Sequence, residues 1–115
     1  MEKPLNTKYN FEFEDGSVAE MSLSFYALYM LKGKNKSLYE RYNRAMNNLG
    51  TQNGYDELET ITILYAAYVC ANLNAENILS EEDFLMKCGS DRVAVANAVR
   101  ELTQPKKRAA SVSRS

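Results

Sequence analysis

The sequence predicts a mainly α fold with a short N-terminal β-hairpin (α+β), in which about five helices pack around a central apolar helix over residues 56–72. Three observations predict it. Residues 8–14 alternate apolar and polar and run into Asp15-Gly16, the pattern of a half-buried strand entering a tight turn. Residues 56–72 open on carboxylates and then turn almost wholly apolar. The remaining segments are short and apolar-periodic, opening on Ser or Asp and closing near Gly or Pro, as helices do.

At 115 residues the chain suggests one domain with a modest core. Residues 1–7 read as a flexible lead-in, 8–104 as a single helical domain and 105–115 as a disordered basic tail. No N-terminal stretch joins a basic segment, an apolar segment and a small-residue cleavage site, so no secretory signal is expected. Residues 1–104 hold 10 Lys and Arg against 15 Asp and Glu, a balance of −5, whereas residues 105–115 carry +4. An acidic body argues against a duplex-DNA binder, whose affinity rests on cations facing phosphates.

In the first strand Tyr9, Phe11 and Phe13 share one face. In the second, Ala19, Met21 and Leu23 share one. A two-residue Asp15-Gly16 loop sets apolar against polar faces. A loop one residue longer, Asp15-Gly16-Ser17, pairs Phe13 with Ala19, Phe11 with Met21 and Tyr9 with Leu23, and is the predicted, bulged connection. Two strands alone are marginal, so this face must lie on the helices.

Ser24 can cap a helix whose apolar residues are Phe25, Leu28, Tyr29 and Leu31 and which ends at Gly33. Gly33 to Lys36 is a polar connector. The next helix covers Ser37 to Leu49, with the stripe Leu38, Tyr42, Ala45 and Leu49 flanked by Tyr39 and Met46, and with Glu40 and Arg44 paired on the outer side. Gly50 to Tyr55 is a loop. The central segment could be a strand, since Thr60 to Tyr65 is β-branched and aromatic. Its length, the absence of turn residues and the Asp56–Glu59 capping-box spacing favour a helix. Leu58, Ile61, Tyr65, Tyr68 and Asn72 form one of its stripes. A helix apolar on most sides is one that others surround, and its apolar part is too short to span a bilayer. Asn72 to Leu79 is a loop. Ser80 opens a short helix with Glu81, Glu82 and Asp83 in its first turn, Phe84, Leu85 and Cys88 inside, and Gly89 at its end. Ser90-Asp91 caps the last helix, whose stripe is Val95 or Ala96, Val99 and Leu102, and Pro105 follows it.

The chemistry available is sparse. There is no histidine, the commonest general base and metal ligand. Cys70 and Cys88 lack a metal or redox spacing and read as reduced core residues. No P-loop, Gly-rich phosphate loop or nucleophile elbow occurs. The carboxylates of 56–59 and 81–83 read as acidic first turns, and Asn72 to Asp83 lacks the ligand alternation of an EF-hand. No catalytic residue, cofactor or metal is expected, and the protein is not expected to be an enzyme. Tyr42, Tyr65 and Tyr68 read as core. Tyr26, Tyr29 and Tyr39, with Met30 and Met46, are candidates for a protein-binding surface, because Tyr and Met suit adaptable contacts. Lys106, Lys107 and Arg108 could add contacts to an acidic partner or to nucleic acid.

Several segments in this order carry a resemblance. They are the Asp-Gly hairpin, Ser-Phe-Tyr-Ala-Leu-Tyr-Met-Leu-Lys at 24–32, Leu-Tyr-Glu-Arg-Tyr-Asn at 38–43, the central segment 56–72, Ser-Glu-Glu-Asp-Phe-Leu at 80–85 and Val-Arg-Glu-Leu-Thr-Gln-Pro-Lys-Lys at 99–107. Together they resemble the small tail assembly chaperones of long-tailed phages and prophages of Gram-positive bacteria, over roughly Tyr9 to Lys107. The likeness is one of pattern and not of a catalytic motif.

The resemblance implies a non-enzymatic role in virion assembly: binding the tape measure protein and keeping it soluble until tail tube subunits polymerise around it. It implies location in the host cytoplasm and absence from the mature virion. It further implies ribosomal frameshifting near the end of the gene, giving a minority longer form that recruits the tail tube protein; Lys106-Lys107 need A-rich codons that a slippery site could use. A groove shared by the first helix (Phe25 to Leu31) and the second (Leu38 to Leu49) is the expected client surface. The competing expectation is a small nucleic-acid-binding regulatory protein that uses the basic tail. A metal-dependent enzyme built on the acidic clusters ranks well below both.

Overall fold

A computed structural model describes residues 8–49 and 56–103. The lead-in 1–7, the loop 50–55, Pro105 and the tail with Lys106, Lys107 and Arg108 lie outside the described residues. The order is β1 (Lys8–Glu12), β2 (Val18–Ser22), α1 (Phe25–Lys34), α2 (Lys36–Leu49), α3 (Glu57–Ala71), α4 (Glu81–Cys88) and α5 (Arg92–Thr103). This is the expected mainly helical α+β architecture with an antiparallel N-terminal hairpin.

The hairpin keeps the expected faces but not the expected pairs. Tyr9 lies opposite Met21 and Phe11 opposite Ala19, a register two residues from the predicted one. The Phe13 N–H donates to the Ser17 carbonyl at 2.8 Å, and the Gly16 N–H donates to the Phe13 carbonyl at 2.9 Å. The loop is therefore Glu14-Asp15-Gly16, with Gly16 at φ +90° in the closing position that a three-residue bulged loop reserves for glycine. Asp15 fastens it by accepting from the Ser17 N–H at 2.8 Å and the Ser17 hydroxyl at 2.6 Å. A two-residue shift conserves face, so Phe11, Phe13, Met21 and Leu23 are all buried.

α3 is the hub. Ten of its residues, Thr60 and Thr62 to Cys70, are buried, and it packs against β2 and every other helix. Its two threonine hydroxyls donate back to the Asp56 and Leu58 carbonyls, so they enter the interior without unpaired groups. Asp56 caps the helix through the Leu58 and Glu59 N–H groups. Glu59 does not close a capping box; it accepts from Asn48 Nδ2 of α2 at 2.9 Å. Leu58, expected on the buried stripe, is 71% exposed because it sits on the first turn, before the neighbouring helices close around α3.

Two tyrosines of α3 hold the way into α4. The Tyr65 hydroxyl donates to the Leu79 carbonyl and the Leu79 N–H donates to the Tyr68 hydroxyl, both at 2.9 Å. Beneath them the Phe84 ring, fully buried, lies 5.2 Å from both tyrosine rings and 5.7 Å from Phe13. Hairpin, α3 and α4 thus meet in one aromatic cluster.

α1 and α2 depart from expectation at their junction. Gly33 is helical, and a single residue, Asn35, joins the two helices. Its N–H donates to the Leu31 carbonyl, ending α1, while its side-chain Oδ1 accepts from the Leu38 N–H, starting α2. One residue with both donor and acceptor does the work assigned to a longer connector. Leu38, Tyr42 and Ala45 are buried as expected, but Leu49 is exposed at the end of α2. Glu40 pairs back to Lys36 at 4.0 Å on the outer side. In α5 Val95 and Val99 are buried as expected, and Ala98 joins them; Asp91 caps it through the Ala94 N–H at 3.1 Å.

Candidate functional site

Ser24 starts the candidate surface. Its hydroxyl accepts from the Ala27 N–H at 3.2 Å, so α1 begins directly after β2. Ala27 and Leu31, four residues apart, face α2 and α3 and are buried. At 100° per residue Phe25 and Tyr29, also four apart, fall on the opposite side, with Tyr26 beside them. They are 90%, 73% and 70% exposed. The sequence groups Phe25, Leu28, Tyr29 and Leu31 as the apolar residues of this helix; the structure parts them, burying Leu31 and leaving Phe25 in water beside the nominated surface residue Tyr29. The grouping does not mark one face because α1 is apolar nearly all round, and periodicity alone does not say which side its neighbours take.

The result is an aromatic ridge on one short helix. Three rings left in water forgo about 1.5–3 kcal/mol each of burial, a cost that a docked partner can recover. Met30 and Leu28 flank the ridge, half-buried. At its far end Lys32 lies over the Tyr39 ring, 5.6 Å from the centroid, and Lys34 follows. Tyr39 and Met46 of α2 are half-buried and packed on the core. Of the sequence-nominated residues, Tyr26 and Tyr29 stand together on the ridge. Met30 lies at its side, whereas Tyr39 and Met46 belong to the α1–α2 seam. Phe25, the most exposed aromatic side chain, was missed as a surface residue; the spacing of Ala27 and Leu31 as the alternative inner face was the signal that could have found it.

Three carboxylates of the acidic first turns are engaged within the fold. Glu57 takes the Arg92 guanidinium at 2.7 Å, Glu59 takes Asn48, and Glu81 takes Arg41 through both oxygens, at 2.9 and 2.5 Å. The Arg41 fork holds the Glu81 carboxyl below its ordinary pKa, against a smaller opposing effect of burial. Among the described residues no three His, Cys, Asp or Glu side chains converge as metal ligands would. Cys70 and Cys88 are free and buried. Burial pushes their thiols up to about 12 and about 11, which keeps them protonated and poor nucleophiles. No protein-family model, curated protein or solved structure matches the chain. No helix among the described residues is long and apolar enough to cross a membrane.

Two further concavities lie away from the ridge. A notch of about 140 Å³ sits between the first turn of α3 and the α4–α5 junction, lined by Leu58, Ile61, Cys88 and Val95 with the Glu57–Arg92 pair at its rim. A wider trough runs along β1 from Tyr9 to Glu14, with Asp91, the cap of α5, and Ala94 of α5 as its other wall.

Proposed function

We propose that the protein is a phage tail assembly chaperone, a non-enzymatic partner that binds the tape measure protein in the host cytoplasm and keeps it soluble until the tail tube forms. The observation that carries this proposal is the ridge of Phe25, Tyr26 and Tyr29, a contiguous aromatic surface on a folded acidic body. A long helical client presents apolar stripes of its own, and helix against exposed helix is an ordinary mode of such recognition. The pattern resemblance over Tyr9 to Lys107 supports the same function. The tail tube protein is a second partner, recruited by a frameshifted longer form.

Co-expression tests the proposal. A tape measure protein should move from the insoluble to the soluble fraction when this protein is made with it, and an unchanged insoluble fraction would defeat the proposal. The gene itself tests the longer form: an A-rich slippery heptamer at the Lys106-Lys107 codons should precede an overlapping frame, and a stop directly after those codons in that frame would remove it. Salt-sensitive duplex binding that is lost with residues 105–115 would instead favour a nucleic-acid regulator.

A further inference from the structure

The ridge continues past its rings. Lys32 falls seven residues after Phe25 and three after Tyr29, and Gly33 falls seven after Tyr26 and four after Tyr29, so at helical period both stand on the ridge's own face. Lys34 ends α1 on the other side of Gly33. All three residues are exposed. A Cβ built on Gly33 would meet nothing within 4 Å, so no neighbour in the fold requires the glycine, and α1 forgoes the helix propensity of a larger residue there. Its effect is a gap at the end of the ridge, between two cations. No residue of α1 is acidic, and among the described residues no carboxylate pairs with Lys32 or Lys34. The Tyr39 ring attracts the Lys32 ammonium without neutralising it. α1 is therefore a basic, aromatic face on a body that holds 10 Lys and Arg against 15 Asp and Glu over residues 1–104.

We propose that the ridge takes an amphipathic helix of the client, antiparallel to α1, whose apolar stripe covers Phe25, Tyr26 and Tyr29 and whose first turn sets carboxylates against Lys32 and Lys34. The proposal rests on the reading of this ridge as the client surface and names what the client must present there. Rings set three and four residues apart are covered by apolar residues at the same spacing on a facing helix. Charge decides the rest. The lysines stand at the C-terminal end of α1, so a carboxylate-bearing first turn reaches them only when the two helices run in opposite directions. That turn is also where a helix's own dipole favours carboxylates. Gly33, with no side chain, lets the client main chain come close at this end. The chain's own remaining segments do not supply this chemistry: residues 1–7 hold one Glu and one Lys, 50–55 hold no charge, and 104–115 hold four cations and no carboxylate.

Fluorescence anisotropy of labelled peptides with the full chain tests this. Two amidated peptides of about 20 residues, long enough to be helical, share a leucine stripe and differ only in the first turn, Glu in one and Gln in the other. The Glu peptide should bind about three- to tenfold tighter, and the advantage should shrink in about 0.5 M salt. Glu also makes the peptide itself more helical, so the decisive comparison is with the Lys32→Gln/Lys34→Gln variant, in which most of the advantage should vanish. Equal affinity of the two peptides for wild type, an advantage unchanged in that variant, or no binding by either peptide overturns the proposal. A peptide with its Glu residues moved to the last turn should lose the advantage; one that binds as tightly that way round refutes the antiparallel docking. Gly33→Gln should weaken binding without lowering Tm, and undiminished binding refutes the close approach. Phosphatidylserine vesicles bound more tightly than the Glu peptide, and released in the same lysine variant, would make this a lipid surface and overturn the proposal. Co-expression separates the underlying function: a solubilised tape measure protein with indifferent peptides overturns this inference alone, whereas a preference for the Glu peptide with an insoluble tape measure protein upholds the chemistry of the surface and defeats the function.

Discussion

α1 and α3 are written in nearly the same alphabet and end in opposite surroundings. Both carry aromatic and aliphatic residues on most sides. α3 is enclosed by β2 and four helices, and its apolar residues make the core. α1 lies at the outside of the same packing, with only Ala27 and Leu31 buried and Phe25, Tyr26 and Tyr29 in water. The same composition is therefore a stability element in one place and a spare surface in the other, and only the topology decides which. Where that topology leaves rings uncovered, a partner is the simplest physical use for them.

Mutations should separate the two. The largest effect is expected in the core around the hub: Phe84→Ala of α4 removes the ring shared by Tyr65 and Tyr68 of α3 and by Phe13 and should cost about 3–5 kcal/mol in urea unfolding, with Leu64→Ala of α3 itself about 2–5 kcal/mol. Losses of only a few tenths of a kcal/mol would mean that α3 is not the centre of the core. Next is Gly89, which ends α4 at φ +65° and ψ −126°, a backbone that side chains rarely adopt. A Cβ there would also displace the Glu14 carboxylate, a flexible neighbour, so strain of the main chain dominates, and Gly89→Ala should cost about 1–3 kcal/mol. A variant that melts with the wild type would mean that this turn relaxes freely.

The Arg41–Glu81 fork ties α2 to α4 beside the hub and should matter less, because both side chains are partly solvated. The folded Glu81 pKa lies below its usual 4.5, so the contribution is present above that pH and fades as pH falls through the lower folded value. At neutral pH Glu81→Gln should lose at most about 1 kcal/mol relative to wild type, and the gap should close in acid. A gap that widens on acidification would reverse the assigned sign. The smallest change in stability belongs to the ridge: Phe25→Ser with Tyr29→Ser should stay within about 0.5 kcal/mol of wild type.

The hub was the most legible part of the chain. A long apolar run with an Asp cap and no breaker has few other solutions, and the caps Ser24, Asp56, Ser80 and Asp91 announce helix starts by local chemistry alone. The strand faces were equally readable from their period of two. The register was not, because Asp15-Gly16 fits more than one loop; the clue was that a three-residue bulged loop wants its glycine last, which places the loop at Glu14 to Gly16. Gly33 misled because nothing packs near it and the helix runs through, leaving Asn35 to make the turn. The ion pairs Arg41–Glu81 and Glu57–Arg92 and the Glu14 contact with Ser90 join residues far apart in sequence, which no local period reports. For the candidate site, Tyr26 and Tyr29 were visible as aromatic residues outside the obvious stripes. Phe25 was hidden because a phenylalanine in an apolar helix reads first as core.

The central claim is that α1 offers its aromatic ridge to a client while α3 holds the fold, and one paired measurement tests it. The Phe25→Ser/Tyr29→Ser variant is compared with wild type for its melting temperature and for the soluble fraction of co-expressed tape measure protein. An unchanged melting temperature with the client lost to the pellet is the predicted result. A soluble client at the wild-type level, in a variant that melts with wild type, would contradict it.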